Sequence, residues 1–346
     1  MNRTWHAALS IVFTVFSLSA SAIEPQVFTK GDQNATALNP SNTYSIAPKE
    51  DSSGGKFDPD LPVAAPGNYL IHKKTVEDLS TGLEWQRGQD LHAGLSWMDA
   101  QAYCRDLSWG GATDWRLPDA FELLSLVKYD QSPPGQTAID VQAFPETKAG
   151  TSPDQINTTR DYWTSTTHWS SFWGYDEPYA VVVNFFGGEM YTRRTDEQYA
   201  GTFARCVRGG KGLGPAFRNN GDGTVTDLAR SLIWQQDADE NPSNVGPYCE
   251  GLTLGGLSNW RLPTVQELAS LLDFRNHSET AYTAVFPSTY YDWDIYWVTS
   301  QANVKHTSQV WSVIFTPRGY GSHDYSIVPV HAAGGSKWGR CVHSAD

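Results

Sequence analysis

Two stretches of the chain carry almost the same order of apolar and polar residues. They are DWRLPDAFELLSLV (114–127) and NWRLPTVQELASLL (259–272), which begin 145 positions apart. In each stretch the proline ends an extended piece, because it disfavours helical backbone in the residue before it. We therefore interpret the shared WRLP core as a strand-to-helix corner that buries its tryptophan, and not as catalytic chemistry used twice.

A helix is predicted directly after each proline. Asp119 and Thr264 are the expected N-caps, with Glu122 and Glu267 three positions further on, as a capping box requires. Apolar residues then recur at helical spacing, which predicts one buried face per helix. The predicted stripes are Ala120, Leu123, Leu124 and Val127 in the first stretch, and Val265, Leu268, Leu271 and Leu272 in the second.

Other blocks repeat in the same order along the chain. TVEDLSTGLEWQR (75–87) matches TVTDLARSLIWQQ (224–236), YWTST (162–166) matches YWVTS (296–300) with its serine and threonine shifted by one, and ARCVRGG (204–210) matches GRCVHSA (339–345). Cys104 precedes Trp115 by eleven positions, and Cys249 precedes Trp260 by eleven. A tandem duplication of one domain of about 130 to 145 residues explains this order.

The pattern within each copy predicts an α+β fold. Residues 75–87 and 224–236 alternate around a turn and predict hairpins. Residues 95–107 predict a helix capped by Ser96, whose counterpart is shortened by Gly246 and Pro247. The later parts, for example 180–186 and 310–315, are aromatic and β-branched, which favours strands. Each copy should thus hold a hairpin, two helices and a twisted antiparallel sheet.

Each copy carries two cysteines, one on the predicted first helix and one in the predicted last strand. Metal binding would need closer spacing than the 43 residues that separate the nearest pair. Pairing within copies predicts the disulfides Cys104–Cys206 and Cys249–Cys341. Bridges between the copies would tie the duplicated units together asymmetrically, so we do not expect them.

The N-terminal residues predict export. Arg3, the apolar run 7–18 and the sequence Ala-Ser-Ala at 20–22 form a signal peptide over 1–22. We expect a flexible segment at 23–66, a first domain at 67–208, a linker at 209–215 and a second domain at 216–346. No later apolar segment is long enough to span a membrane. The protein should be periplasmic, extracellular or at the cell surface.

Charge narrows the range of partners. The chain has 25 basic and 38 acidic residues, a formal net charge of −13. Such a surface repels phosphate backbones and sulfated polysaccharides unless a local basic patch overrides the field. The sequence contains no run of basic residues that suggests such a patch, and nucleic acid is not an expected partner.

The repeated blocks NGDGTVTDLARSLIWQ, NWRLPTVQELASLL, YWTSTTHW and FARCVRGG resemble a bacterial domain first catalogued as of unknown function and now named the Lcl C-terminal domain. The resemblance covers most of 69–346. It implies a C-type-lectin-like fold in both copies. The adhesin domain that gave the family its name binds sulfated glycosaminoglycans. The resemblance suggests this activity for the present chain but does not imply it, because the chain is acidic.

Candidate ligand-binding residues are aromatic side chains beside carboxylates, the combination that suits stacking and hydrogen bonding with neutral sugars. The segment 168–179 should be a long loop, and 288–297 is its counterpart. The alternative is that these rings fill a loop-rich core. The candidates are Trp169, Trp173, Tyr175, Asp176, Glu177, Tyr179, Tyr291 and Trp293.

Metal and cofactor sites are not expected. Asn220, Asp222 and Asp227 form a weak calcium candidate, but Asn-Gly and Asp-Gly are ordinary turn dipeptides and a terminal bidentate glutamate is missing. Lectins that bind sugar through calcium carry a Glu-Pro-Asn or Gln-Pro-Asp triplet. Here Glu177-Pro178 is followed by tyrosine, so the triplet is incomplete. Arg116 and Arg261 should be structural, satisfying loop carbonyls or a buried acid.

The function that best fits these patterns is non-enzymatic binding or adhesion through the aromatic loops to a carbohydrate or cell-surface polymer. The alternative is an envelope protein that binds another protein or serves a structural role. A relationship to formylglycine-generating enzymes is less favoured. Those enzymes use a pair of cysteines near their C-terminal core, whereas each copy here has one cysteine in that region and is expected to use it in a disulfide. No nucleophile–base arrangement repeats between the copies.

Overall fold

A computed structural model describes residues 63–65, 68–88, 94–129, 137–147, 161–172, 175–199, 201–210, 216–238, 245–272, 274, 285–287, 295–302, 309–315, 327–331 and 336–344. The chain divides into two compact units, Met1–Phe57 and Asp58–Asp346, and all described residues belong to the second. The predicted signal peptide and residues 23–62 lie outside the described part.

The first copy contains nine strands and two helices in its described residues. They are β1 (Val63–Ala65), β2 (Tyr69–Ile71), β3 (Thr75–Asp78), β4 (Leu83–Gln86), α1 (Trp97–Arg105), α2 (Ala120–Leu124), β5 (Asp161–Phe172), β6 (Tyr175–Asn184), β7 (Met190–Arg194), β8 (Thr202–Phe203) and β9 (Val207–Gly209). Strand β1 begins within the segment predicted to be flexible, and β9 ends at Gly209, the first residue of the predicted linker.

The second copy follows the same order over its described residues. Its elements are β10 (Phe217–Asn219), β11 (Thr224–Asp227), β12 (Leu232–Gln235), α3 (Val245–Gly251), α4 (Val265–Ala269), β13 (Ile295–Ala302), β14 (Gln309–Val313), β15 (Ile327–His331), β16 (Ser336–Trp338) and β17 (Val342–Ser344). Helix α3 has seven residues where α1 has nine, and Pro247 lies in its first turn, where proline is tolerated.

Each copy closes on itself through a small sheet. The strand order is β1-β2-β3-β4-β9 in the first copy and β10-β11-β12-β17 in the second. In both, the last strand pairs antiparallel with the second strand of the predicted hairpin. The α+β class with antiparallel sheets and few helices is therefore confirmed.

A third sheet joins the two copies. It has eight strands in the order β16-β13-β14-β15-β7-β6-β5-β8. One apolar core contains buried residues from both copies, among them Trp85 and Trp234 of the two hairpins. Within the described residues, no helix is both long enough and apolar enough to cross a membrane.

Both disulfides have the predicted pairing. Cys104 is bonded to Cys206, and Cys249 to Cys341. Each bond connects the first helix of a copy to the segment just before its last strand, and all four cysteines are fully buried. Two disulfides indicate an oxidising, exported environment.

The WRLP corner has the same construction in both copies. Asp119 and Thr264 cap α2 and α4 in full capping boxes with Glu122 and Glu267, as predicted. The guanidinium of Arg116 donates two hydrogen bonds, of 2.7 and 2.6 Å, to the carboxylate of Glu122. Arg261 donates to Glu267 in the same way, at 2.8 and 2.7 Å. The structural interpretation of both arginines is therefore confirmed.

In the first long strand of each copy, β5 and β13, the structurally equivalent residues differ from those that the sequence match aligns. The hydroxyl of Thr164 donates to the Val181 carbonyl, and that of Thr299 donates to the Trp311 carbonyl. The next residues, Ser165 and Ser300, donate their backbone N–H groups to the prolines of the two WRLP corners. The structural equivalence therefore follows the Thr-Ser pair, and aligning the YW letters of 162–163 and 296–297 was wrong by one residue.

The Arg261–Glu267 pair makes stability depend on pH. Burial acts to raise the pKa of the Glu267 carboxyl, but hydrogen bonds from Arg261 and from the Thr264 backbone outweigh it, and the pKa lies below its ordinary value. A carboxyl whose folded pKa is lowered stabilises the fold above its unfolded pKa, about 4.3, and this contribution is lost as pH falls through the folded pKa.

We therefore expect the unfolding free energy of the wild-type chain to drop more steeply below about pH 4.3 than that of Glu267→Gln, which has no carboxylate to protonate there. Urea unfolding between neutral pH and pH 3 measures both slopes. Parallel curves for the two proteins would contradict the assignment.

Candidate functional site

Two cationic side chains flank the hairpin of the first copy. Strands β3 and β4 pair Thr75 with Gln86, so the next residues outward, Lys74 and Arg87, are also adjacent. The N–H of Arg87 donates to the Lys74 carbonyl at 3.0 Å and extends the ladder by one step. Lys73 precedes Lys74 and adds a third cation at this end of the hairpin.

An indole ring packs against this end of the hairpin. Trp109 lies in the tight turn that follows α1, where it forms a β-bridge with Ala112. Its Nε1–H donates to the Lys74 carbonyl at 2.6 Å, and the Lys74 ammonium lies 4.9 Å from the ring centroid. A Cβ on Gly88 would stand 3.1 Å from the ring, so the backbone there approaches the indole closely.

These residues line a cleft with a volume of about 310 Å³. Its walls are Lys73, Lys74, Arg87, Gly88, Trp109, Pro145 and Glu146. Three cations and one carboxylate thus share the cleft, in a chain whose formal net charge is −13. The Arg87 guanidinium also donates to the Gln142 carbonyl at 3.4 Å, which links the hairpin to the segment that precedes Pro145 and Glu146.

A buried arginine contacts residues adjacent in sequence to the cleft lining. Arg205 donates to the Gln86 carbonyl at 2.8 Å and to the Thr147 hydroxyl at 2.7 Å, and its guanidinium lies 4.7 Å from the centre of the Phe144 ring. Burial lowers the pKa of this guanidinium from its ordinary value. Its contacts connect the hairpin to residues 144–147, the segment that contains Pro145 and Glu146 of the cleft.

The second copy has the same frame without the same chemistry. Strands β11 and β12 pair Thr224 with Gln235, as β3 and β4 pair Thr75 with Gln86. The bridge between Leu254 and Leu257 matches that between Trp109 and Ala112. At the positions of Lys73, Lys74, Arg87, Gly88 and Trp109 the second copy has Asp222, Gly223, Gln236, Asp237 and Leu254. The basic and aromatic character therefore belongs to the first copy alone among these equivalent positions.

This cleft is not predicted when basic residues are sought only as runs that are close in sequence. Lys74 and Arg87 are thirteen positions apart and become neighbours only when the hairpin pairs in register. The signal was present in the predicted hairpin itself, because the pairing of TVED with LEWQ places the flanking lysine and arginine side by side. The absence of a local basic patch was therefore a wrong prediction.

The predicted aromatic loop is a β-hairpin. Residues 168–172 belong to β5 and 175–179 to β6, paired from His168↔Tyr179 to Phe172↔Tyr175. The backbone of Trp169, Tyr175, Asp176 and Glu177 is thus in strands, and the long-loop prediction was wrong. Their side chains, and all of Trp173, Tyr291 and Trp293, lie outside the described residues.

Tyr179 is the one predicted ligand residue whose side chain the structure describes. It is only 6 % exposed, which leaves little of its ring to contact a ligand. Its position on β6, opposite Arg194 of β7, places it inside the sheet and away from the hairpin end.

The weak calcium candidate is built as a turn. The Asp222 carboxylate accepts from the backbone and hydroxyl of Thr224 at 3.1 and 2.6 Å. The Asp227 carboxylate accepts from the Ala229 N–H and forms an ion pair with Arg230 at 3.3 Å. The bonds to the Thr224 and Ala229 N–H groups, each two residues beyond the aspartate, are those of Asx turns. Among the described residues, no group of three or more His, Cys, Asp or Glu side chains is arranged to hold a metal ion.

These features define a duplicated, disulfide-linked α+β protein with a basic, indole-lined cleft in its first copy. The chain matches the Lcl C-terminal domain family over residues 74–208 and again over 223–332. It belongs to that family and carries the domain twice in tandem. No curated protein and no solved structure matches the chain.

Proposed function

We propose that this protein is an exported, non-enzymatic binding module that recognises an acidic carbohydrate in the cleft of its first copy. The observation that carries the proposal is the convergence of Lys73, Lys74 and Arg87 around Trp109 in a chain with a large negative charge. The overall negative charge of the chain repels anions. Cations gathered in one concave site therefore favour the specific binding of one anionic group, and not a non-specific attraction of anions to the whole surface.

The chemistry of the cleft fits a sugar that carries a carboxylate or sulfate. The face of an indole stacks on the apolar C–H face of a pyranose ring. Arginine and lysine donate charge-assisted hydrogen bonds to a carboxylate or sulfate, which are stronger than neutral ones. The volume of about 310 Å³ lies at the lower end of the range for small-molecule sites and suits one or two sugar units.

Glu146 adds selectivity to this arrangement. Its carboxylate can accept hydrogen bonds from sugar hydroxyls, and it opposes the binding of a polyanion that would place several charges in the cleft. We therefore propose a ligand with isolated acidic groups, exposed on an envelope or cell-surface polymer, and an adhesive or retaining role in the envelope.

The fold supports this role. We propose that each copy is C-type-lectin-like, because its last strand pairs with the second strand of its N-terminal hairpin, and a disulfide ties its first helix to the segment just before that last strand. In the first copy the cleft lies where that hairpin, the turn after α1 and residues 145–146 meet. The β5–β6 hairpin with its aromatic residues remains a predicted second contact surface.

The decisive experiment compares the two copies. On a glycan array with neutral, carboxylated and sulfated members, we expect the wild-type chain to bind acidic glycans. Trp109→Leu, which introduces the residue of the second copy, and the double change Lys73→Gln with Lys74→Gln should each weaken binding at least about tenfold, or roughly 1.4 kcal/mol. Affinity should also fall as salt increases.

Leu254→Ala in the second copy is the matched control and should leave binding unchanged. Thermal unfolding of each variant separates lost binding from lost fold. Unaltered binding in both cleft variants, at unaltered melting temperature, would contradict the assignment of the site. An array blank for all glycans would favour the protein-partner alternative.

A further inference from the structure

The strand order of the large sheet is the same read from either end. From its centre outward, one half is β15, β14, β13, β16 and the other is β7, β6, β5, β8. These are corresponding strands of the two copies in the same sequence. In both halves the outermost pair is parallel and the inner pairs are antiparallel. Such an order is what a two-fold axis through the centre of the sheet produces.

The two strands at the centre meet at equivalent residues. The carbonyls of Val181 and Trp311 accept from the equivalent threonines, so Val183 and Val313, two positions further along, also correspond. Met190 pairs with Val183, and Ile327 pairs with Val313. Met190 and Ile327 therefore correspond, and they pair directly with each other, antiparallel, across the junction. When a residue pairs antiparallel with its own equivalent, the two-fold axis passes between the two residues.

The helices beneath the sheet repeat this reciprocity. Phe121 on α2 contacts Phe274 of the second copy, with ring centroids 5.5 Å apart. Gln266 on α4, the equivalent of Phe121, donates to the Val127 carbonyl of the first copy at 2.8 Å. Phe274 corresponds to Tyr129, two residues beyond Val127. The same helix position in each copy thus contacts the same segment of the other copy.

The junction is filled with apolar side chains. The Tyr129 ring packs edge-on against Trp311, with centroids 4.8 Å apart, and both rings are buried. Met190 and Ile327 are also buried. This is the composition of a permanent interface, in which the two sides resemble one core divided in half.

We propose that the protein is an isologous dimer of domains fused into one chain, and that this surface, formed by the β7/β15 edge and the α2/α4 helices, holds the copies together without the covalent connection. In an isologous interface a residue i contacts j, and the equivalent of j contacts the equivalent of i. The partner that each copy's surface fits is a second copy of the same domain. The inference does not depend on the proposed ligand.

A cut between the copies in the folded full-length protein tests this. A protease recognition sequence is inserted within 211–215, between β9 and β10, and the purified protein is cleaved under native conditions. We expect the two fragments to elute together from a size-exclusion column with the mass of the uncut chain. They should separate on a denaturing gel without reductant, because both disulfides lie within copies. Separate elution of the two fragments would overturn the proposal.

A second variant shows whether the stated surface is responsible. Phe121→Ala with Gln266→Ala removes the reciprocal helix contacts, and after cleavage its fragments should dissociate at a concentration at least tenfold higher than those of the unmodified protein. Leu228→Ala, an exposed position on a hairpin turn, is the control and should dissociate like the unmodified protein. Equal dissociation of all three cleaved proteins would assign the association to another surface and overturn the proposal.

Discussion

Replacing Cys104 and Cys206 by serine should lower the free energy of unfolding by about 4 to 5 kcal/mol, and replacing Cys249 and Cys341 should have a similar effect. The two bonds close loops of 102 and 92 residues. Without a bond, the unfolded chain regains the entropy that loop closure removes, and in the chain-entropy model a loop of about 100 residues contributes close to 5 kcal/mol. Such a loss is a large fraction of the stability of an ordinary domain.

Urea unfolding followed by tryptophan fluorescence measures the loss for each pair. Because one apolar core contains residues of both copies, removing either bond should shift a single transition and should not produce two. The double change Cys104→Ala with Cys206→Ala checks that the buried serine hydroxyls are not the cause. A loss below about 1 kcal/mol for either pair would show that the unfolded chain is constrained in some other way.

The features that the sequence predicted correctly are those set by residues close in the chain or by the comparison of the two copies. The caps at Asp119 and Thr264 depend on a glutamate three positions away, and capping boxes formed at both. The disulfide pairing followed from the position of one cysteine on each first helix. The short helix α3 followed from Gly246 and Pro247. In each case the interaction that decides the structure is local in sequence, or its motif occurs in both copies.

The features that the sequence did not predict depend on pairing between distant residues. The cleft needs the register of β3 and β4 to bring Lys74 beside Arg87. The joined sheet needs β7 and β15, which are more than 130 residues apart, to share an edge. Nothing in the local pattern of either strand distinguishes an edge that stays open from one that pairs. For that reason the duplication suggested two separate domains, whereas the copies share a sheet and a core.

The aromatic segment 168–179 shows the limit of reading composition alone. Its concentration of large rings beside carboxylates predicts a long, ligand-binding loop. However, aromatic residues also have high strand propensity, and long antiparallel pairing satisfies the backbone of both arms. The described pairing extends to Phe172 and Tyr175. The described residues of this segment thus form paired antiparallel strands.

The duplicated WRLP corner allows a test of how burial sets the cost of breaking an ion pair. Arg116→Ala should destabilise the fold by about 3 to 5 kcal/mol, because the Glu122 side chain is 1 % exposed and would keep an uncompensated charge. Arg261→Ala should cost only about 2 kcal/mol, the order of a hydrogen bond to a charged group, because the Glu267 side chain is 19 % exposed and water can replace part of the arginine. Chemical unfolding at neutral pH measures both.

The double change Arg116→Ala with Glu122→Gln distinguishes the buried charge from lost packing. Glutamine keeps the shape of Glu122 and can still accept from the Asp119 N–H, the bond that the carboxylate makes at 2.9 Å. If the stranded charge is the cause, this protein should be more stable than Arg116→Ala by at least about 1 kcal/mol. If the two arginine variants lose equal stability and the double change recovers none, burial of the acid is not what makes the first corner depend on its arginine.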